Sequence, residues 1–266
     1  MSLDFDGKTY WRRLGEGGRP ALALHCNLGH SGAFRGIGAA LADLVTIDAP
    51  DMPGHGRSAG YEPGTLTGQQ MLEAVVERLD GPVDVIGHSY GGLLALRLAI
   101  ERPDLVMSLS LFEPVAMLAA KDTAPEEVAN NDTFMGQVIA LSGAGEDEAA
   151  VRMFVEEWGD GKPWEHLPVE TRETFTRQVP VVVASQQDVL GDIGGVMPRL
   201  DQVSVPCLVM DGAQSPKIIK HACDGVARMV QDGRRVTFAG AGHMGAISHS
   251  AEVAAEIRKT IESVPV

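Results

Sequence analysis

The segment Gly87-His88-Ser89-Tyr90-Gly91 follows the apolar run Val83-Asp84-Val85-Ile86 and precedes Leu93-Leu94-Ala95-Leu96-Arg97-Leu98-Ala99. A serine flanked by glycines two residues before and two after, where a strand turns sharply into a helix, can present its hydroxyl as a nucleophile. The glycines let the chain pass closely around a strained turn. A helix starting just after the serine offers free backbone N–H groups to a developing anion. Such a hydroxyl needs a base. His243 lies in the glycine-rich stretch Ala239-Gly240-Ala241-Gly242-His243-Met244-Gly245, after a predicted strand and downstream of Ser89. An imidazole there could take the serine proton and return it to a leaving group. His30, His166, His221 and His249 lack such a setting and are read as surface or satisfied core residues.

The elements that must hold these residues are legible as alternating strands and helices. Nearly continuous apolar runs at 21–25, 44–48, 83–87, 107–112, 207–211 and 235–238 read as buried parallel strands. Helical patterns between them predict an α/β architecture, a mostly parallel twisted sheet with helices on both faces. In the last helix Val253, Ile257 and Ile261 recur at i, i+4 and i+8, a stripe that docks on the sheet. From Phe112 to Pro206 the alternation stops and helix-like patterns take over, broken at 159–163 and at Val179-Pro180. Such an insertion predicts a helical cap or lid over 115–200, with 1–114 and 201–266 forming the core.

The chain resembles an α/β-hydrolase from about its first strand to its last helix, on four motifs. Besides the serine elbow and the histidine loop, Asp51-Met52-Pro53-Gly54-His55-Gly56-Arg57-Ser58 is similar to the family's D-x-P-G-H-G-x-S loop, with His55 a structural loop residue. The fourth, His25-Cys26-Asn27-Leu28-Gly29, stands where the family has a His-Gly loop, with Cys26 in place of the glycine. The resemblance implies an oxyanion hole built from the backbone N–H groups of Asn27 and Tyr90, and a serine, acid, histidine order along the chain. Many members carry the acid shortly after the strand here ending at Asp211, but Ser215 occupies that position. Other members take it from the end of the strand after the nucleophile's helix, which here ends Phe112-Glu113-Pro114. Glu113 is therefore the first candidate and Asp211 the second, with a serine–histidine dyad the remaining option.

Composition narrows the partners. With 22 Lys and Arg against 36 Asp and Glu, the net charge of −14 repels phosphate backbones and anionic membranes, so neither is an expected partner. Cys26, Cys207 and Cys223 are too few and too dispersed for a disulfide framework or a zinc site. No cofactor and no metal is expected. Met1 to Asp6 lacks the basic start and apolar run of a signal peptide, and no stretch approaches a membrane span, so a cytoplasmic location is expected. The expected partner is a small-molecule substrate, and a homodimer is left open.

The resemblance implies hydrolysis of a small carboxylic ester or lactone through an acyl-enzyme on Ser89 with His243 as base. C–C bond hydrolysis or peracid formation are alternatives within the fold, whereas dehalogenation would want an aspartate nucleophile. A ligand-binding or sensing homologue with little turnover is the alternative from another class, suggested by Ser215 in the acid's place. Met117, Phe134, Met135, Trp158 and Trp164 are candidates for an apolar pocket, though such residues also serve helix packing.

Overall fold

The computed structural model describes residues 3–4 and 8–265; the rest of Met1 to Asp6, read above for a leader, lies outside them. Among the described residues eight strands form one sheet in the order β1-β2-β4-β3-β5-β6-β7-β8. They are β1 (Leu3–Asp4), β2 (Thr9–Leu14), β3 (Arg19–Leu24), β4 (Val45–Pro50), β5 (Val83–His88), β6 (Val106–Phe112), β7 (Cys207–Gly212) and β8 (Gly233–Phe238). From β4 to β8 all neighbours are parallel, while β2 runs antiparallel to β1 and β4. Strand β2 is absent from the sequence-based expectation, because Arg12 and Arg13 break its apolar run; near the sheet edge it buries only Thr9, Tyr10 and Trp11.

The helices are α1 (Arg35–Ala40), α2 (Thr67–Arg78), α3 (Tyr90–Glu101), α4 (Pro125–Gly143), α5 (Asp147–Trp158), α6 (Val169–Val189), α7 (Lys217–Met229), α8 (Gly245–Ser248) and α9 (Ser250–Glu262). Strand side chains alternate between two apolar layers, which is why the strands read as unbroken hydrophobic runs. Leu22, Leu24, Val85, Leu109, Leu111 and Val209 pack with α2, α3 and α7 on one side. Ala21, Ala23, Ile86, Phe112, Leu208 and Met210 pack with α1 and α9 on the other, where Val253, Ile257 and Ile261 are buried as their spacing predicts. Helix α3 is buried along nearly its whole length, and its leucines each contribute about 1.5–3 kcal/mol of burial.

Between β6 and β7 lie α4, α5 and α6, with no strand among the described residues. They share a small core of Met135, Val138, Val151, Val155, Trp164 and Val179. The expected break at Pro180 does not occur, since α6 continues through it. Val179, Val181 and Val182 are buried around the proline, and their packing offsets the backbone hydrogen bond it removes.

Register sets the site. Leu24 pairs with Gly87, His88 with Phe112, Phe112 with Met210, and Gly212 with Phe238, so four parallel strands and their neighbour end nearly level. Chain direction diverges at β3, which has β4 on one flank and β5 on the other. A crevice opens above such a switch point, at the carboxyl ends of the strands.

Candidate active site

Ser89 leaves β5 at φ 55° and ψ −118°, a conformation L-residues rarely adopt. Its N–H donates to the Phe112 carbonyl at 3.0 Å and its carbonyl accepts from Gly92 N at 2.9 Å, which pins the turn from both sides. A Cβ on Gly91 would sit 2.1 Å from the Leu24 carbonyl oxygen, and one on Gly87 would sit 2.6 Å from the Gly92 Cα. Neither position tolerates a side chain. Tyr90 opens α3, so its N–H lies in the helix's first turn without an intrahelical acceptor.

His243 lies over Ser89, with Nε2 3.0 Å from the serine Oγ. Its Nδ1 is 2.6 Å from Oε2 of Glu113, at the end of β6. A carboxylate only accepts, so Nδ1 carries the proton and Nε2 turns its lone pair toward the serine hydroxyl. Glu113 is fully buried and has φ 48°. Its Oε1 accepts from the Gly212 N–H at 2.7 Å and the Ser215 hydroxyl at 2.5 Å. Burial pushes the Glu113 carboxyl up, but the His243 hydrogen bond and charge, then Ser215 and Gly212, outweigh it and hold the group below its ordinary value. Asp211 is directed elsewhere. Its two oxygens accept from Arg235 Nε at 3.0 Å and a terminal guanidinium nitrogen at 2.7 Å, with Thr237 Oγ1 at 2.9 Å.

A model of the alpha/beta hydrolase family matches residues 21–256. The chain belongs to that family. Lipase LipV of Mycobacterium tuberculosis is 45% identical over 76 residues, a match covering 28% of this chain and only 29% of LipV. Pimeloyl-acyl-carrier-protein methyl ester esterase of Neisseria meningitidis is 28% identical over 228 residues, covering 82% of this chain and 84% of that protein. The crystal structure of an alpha/beta hydrolase from Sphaerobacter thermophilus superposes with a TM-score of 0.71 at 25% identity, covering 94% of this chain and 96% of that one.

In this α/β-hydrolase the loop after β3 brings Asn27 to the cavity wall beside Ser89. Two histidines hold the loop: His55, read from its motif as a structural loop residue, and His25, to which no role was assigned from sequence. His25 Nδ1–H donates to the Cys26 carbonyl at 2.7 Å, and its Nε2 accepts from Met52 N at 2.8 Å. His55 Nδ1–H donates to the Pro53 carbonyl at 3.0 Å, and its Nε2 accepts from Leu28 N at 3.1 Å. Each ring must be neutral to accept at Nε2. Burial depresses His25 to about 3, with the neighbouring His55 adding to the effect, and depresses His55 to about 4. Asp51 completes the knot by accepting from Ser31 N at 2.6 Å and Arg57 N at 2.8 Å. On the opposite flank His88 Nε2 donates to the His243 carbonyl at 2.9 Å, and burial lowers its pKa to about 3. A useful signal was available: His25, His55 and His88 all sit inside the motifs that carry the family resemblance.

Above the serine is a cavity of about 280 Å³ whose walls include Leu28, Phe154, Trp158, Leu167, Phe175 and Met244. The Trp158 ring meets His243 edge to face at 5.0 Å. Trp164, by contrast, is buried between the helices of the insertion. Tyr90 ties α3 to α6 through a 2.7 Å hydrogen bond from its hydroxyl to Asp188. Cys26, Cys207 and Cys223 are buried free thiols, Cys26 and Cys207 pushed by burial to about 12. Among the described residues no cluster could hold a metal ion, and no helix is long and apolar enough to cross a membrane.

Proposed function

We propose that this carboxylic-ester hydrolase cleaves esters or lactones through an acyl-enzyme on Ser89. The Ser89 hydroxyl gives its proton to His243 Nε2 as Oγ attacks the carbonyl carbon, and the resulting oxyanion rests on the N–H groups of Asn27 and Tyr90. Imidazolium then protonates the departing alkoxide, and water, deprotonated by His243, releases the acid. Glu113 fixes the tautomer and stabilises the imidazolium without taking its proton. Residues 115–200 act as the cap that closes the site. The observation carrying this reading is the continuous chain Ser89, His243, Glu113 at 3.0 Å and 2.6 Å on a strained elbow. The apolar walls of the larger cavity and the methyl ester named for the esterase relative support the substrate class. The sensor alternative rested on Ser215 in the acid's place; Glu113 bonded to His243, with Ser215 donating to it, supports the hydrolytic reading over it.

Ser89→Ala tests the reading. Hydrolysis of p-nitrophenyl butyrate is expected to fall by about 10⁴-fold or more with the thermal transition retained, and covalent labelling by a fluorophosphonate is expected to disappear. Activity within tenfold of the parent overturns it.

A further inference from the structure

Beside Ser89 lies a second chamber of about 30 Å³, bounded by Val115, Met117, Asn131, Met135, Gln186 and Val189. Asn27, Ser89, Phe154, Trp158 and His243 line both spaces, so the nucleophile stands at their junction. The chamber has room for about two or three water-sized groups.

Its lining side chains carry buried polar atoms without a hydrogen-bond partner: Nδ2 of Asn131, Nε1 of Trp158, Oδ1 of Asn27 and Oε1 of Gln186. Asn131 is 7% exposed and Gln186 8%. The other ends of two of these amides are committed, Asn27 Nδ2 to Ser185 Oγ at 2.9 Å and Gln186 Nε2 to the Val182 carbonyl at 3.0 Å. Those bonds fix which ends are left over. An unpaired buried polar group costs about 1–3 kcal/mol, so several in one small space call for an occupant. The occupant must both donate and accept, since two donors and two acceptors are left over. It must be uncharged, because no Asp, Glu, Lys or Arg lines the chamber and a buried ion without a counter-charge is strongly disfavoured. A hydroxyl meets both requirements, with one donor and two lone pairs.

The chamber also has a definite side of the reaction. Val115, Met117, Asn131, Met135, Trp158, Gln186 and Val189 are buried, and the half-buried part of its lining, Asn27 and Phe154, is shared with the large cavity. The alcohol must leave and water must arrive, and the large cavity provides their route, since Asp160 is exposed and Ile247 is 43% exposed at its rim. The acyl group stays bound through both steps, so the buried chamber belongs to it. We propose that this enzyme is selective for short hydroxyacyl esters, with the acyl hydroxyl accepting from Asn131 Nδ2 and Trp158 Nε1 and donating to Gln186 Oε1. The proposal rests on the acyl-enzyme reading above.

The test compares p-nitrophenyl 3-hydroxybutyrate with p-nitrophenyl butyrate. In the wild type kcat/KM is expected to favour the hydroxy ester by at least about tenfold, because the plain acyl chain leaves the buried amides unpaired. In Asn131→Leu, and separately in Gln186→Met, that ratio is expected to fall to about one or below. The ratio is internal to each variant, so a general loss of activity does not alter it. A wild type that prefers butyrate, or a ratio unchanged in both variants, overturns the proposal and assigns the chamber to bound water. Binding of methyl 3-hydroxybutyrate and methyl butyrate to Ser89→Ala, followed by ligand-observed NMR, separates the two readings. If Ser89→Ala keeps full turnover, or the wild type cleaves neither ester, the acyl-enzyme reading fails. The binding comparison still decides the chamber: tighter binding of the hydroxy ester supports it, and equal or weaker binding overturns it.

Discussion

Strands β6 and β7 lie side by side, and a buried carboxylate sits at the end of each, Glu113 just past β6 and Asp211 within β7. Asp211 keeps ordinary strand geometry, and its guanidinium partner Arg235 comes from the next strand. Glu113 stands one residue beyond its strand in a left-handed conformation that carries its side chain across to His243. The difference teaches that a carboxylate's task here is set by what faces it. A permanent cation on a neighbouring strand makes Asp211 a structural anchor. An imidazole that also reaches Ser89 Oγ places Glu113 in the proposed chemistry. Ser215, in the position where an acid was expected, belongs to Glu113's surroundings as a donor.

Mutations can break this contrast. Glu113→Gln removes the charge and offers an amide where the imidazole needs an acceptor; kcat for p-nitrophenyl butyrate is expected to drop about 10³–10⁴-fold with KM nearly unchanged. Next in size, Ser215→Asp sets a second carboxylate against Glu113. Like charges so close raise the apparent pKa of the pair, so kcat at neutral pH is expected to fall about 10–100-fold and to recover partly as pH rises. Both effects are read from pH–rate profiles. Ser215→Ala removes one charge-assisted hydrogen bond, worth about 1.5–3 kcal/mol, shared between stability and activity, and a decrease in kcat of about 3–10-fold is expected. Asp211→Asn closes the series: kcat should stay within about twofold, while thermal unfolding moves down several degrees because Arg235 loses a buried partner. A large kcat effect at Asp211 with none at Glu113 would reverse the assignment.

Acid sharpens the same contrast. Glu113 titrates below the ordinary carboxyl value of 4.5 in the folded protein, so the unfolded chain binds its proton first as pH falls. The stability it contributes is fully present above 4.5 and is lost as pH drops through the depressed value. Glu113→Gln should therefore show a flatter denaturant-midpoint profile than the parent below about pH 4.5.

What the sequence made legible was local. Ser89 announces itself because strand, turn and helix occupy one short continuous segment, and strands β3, β5, β6 and β7 are visible because both faces are buried and largely apolar. Partnerships between distant segments were less accessible. That Arg235 would occupy Asp211, and that Ser215 would donate to a residue at the end of another strand, depend on register across β6, β7 and β8. Asn131 and Gln186 carry no signal in sequence, since a polar residue on an amphipathic helix normally faces water. Only the packing of α4 and α6 makes them buried neighbours of Ser89.

His25, His55 and His88 give the enzyme an acid floor well above the range in which Glu113 titrates. Each is neutral when folded, with values of about 3, 4 and 3 against an ordinary 6.5. Below 6.5 the unfolded chain takes up protons that the folded one refuses, and stability falls with a slope approaching about 4 kcal/mol per pH unit for three such groups. Between about pH 6 and pH 4 the rings that hold the Asn27 loop and the His243 loop thus act as a reserve of proton affinity released on unfolding. Mild acidification would inactivate the enzyme by melting the scaffold of the site, making its acid limit a matter of durability.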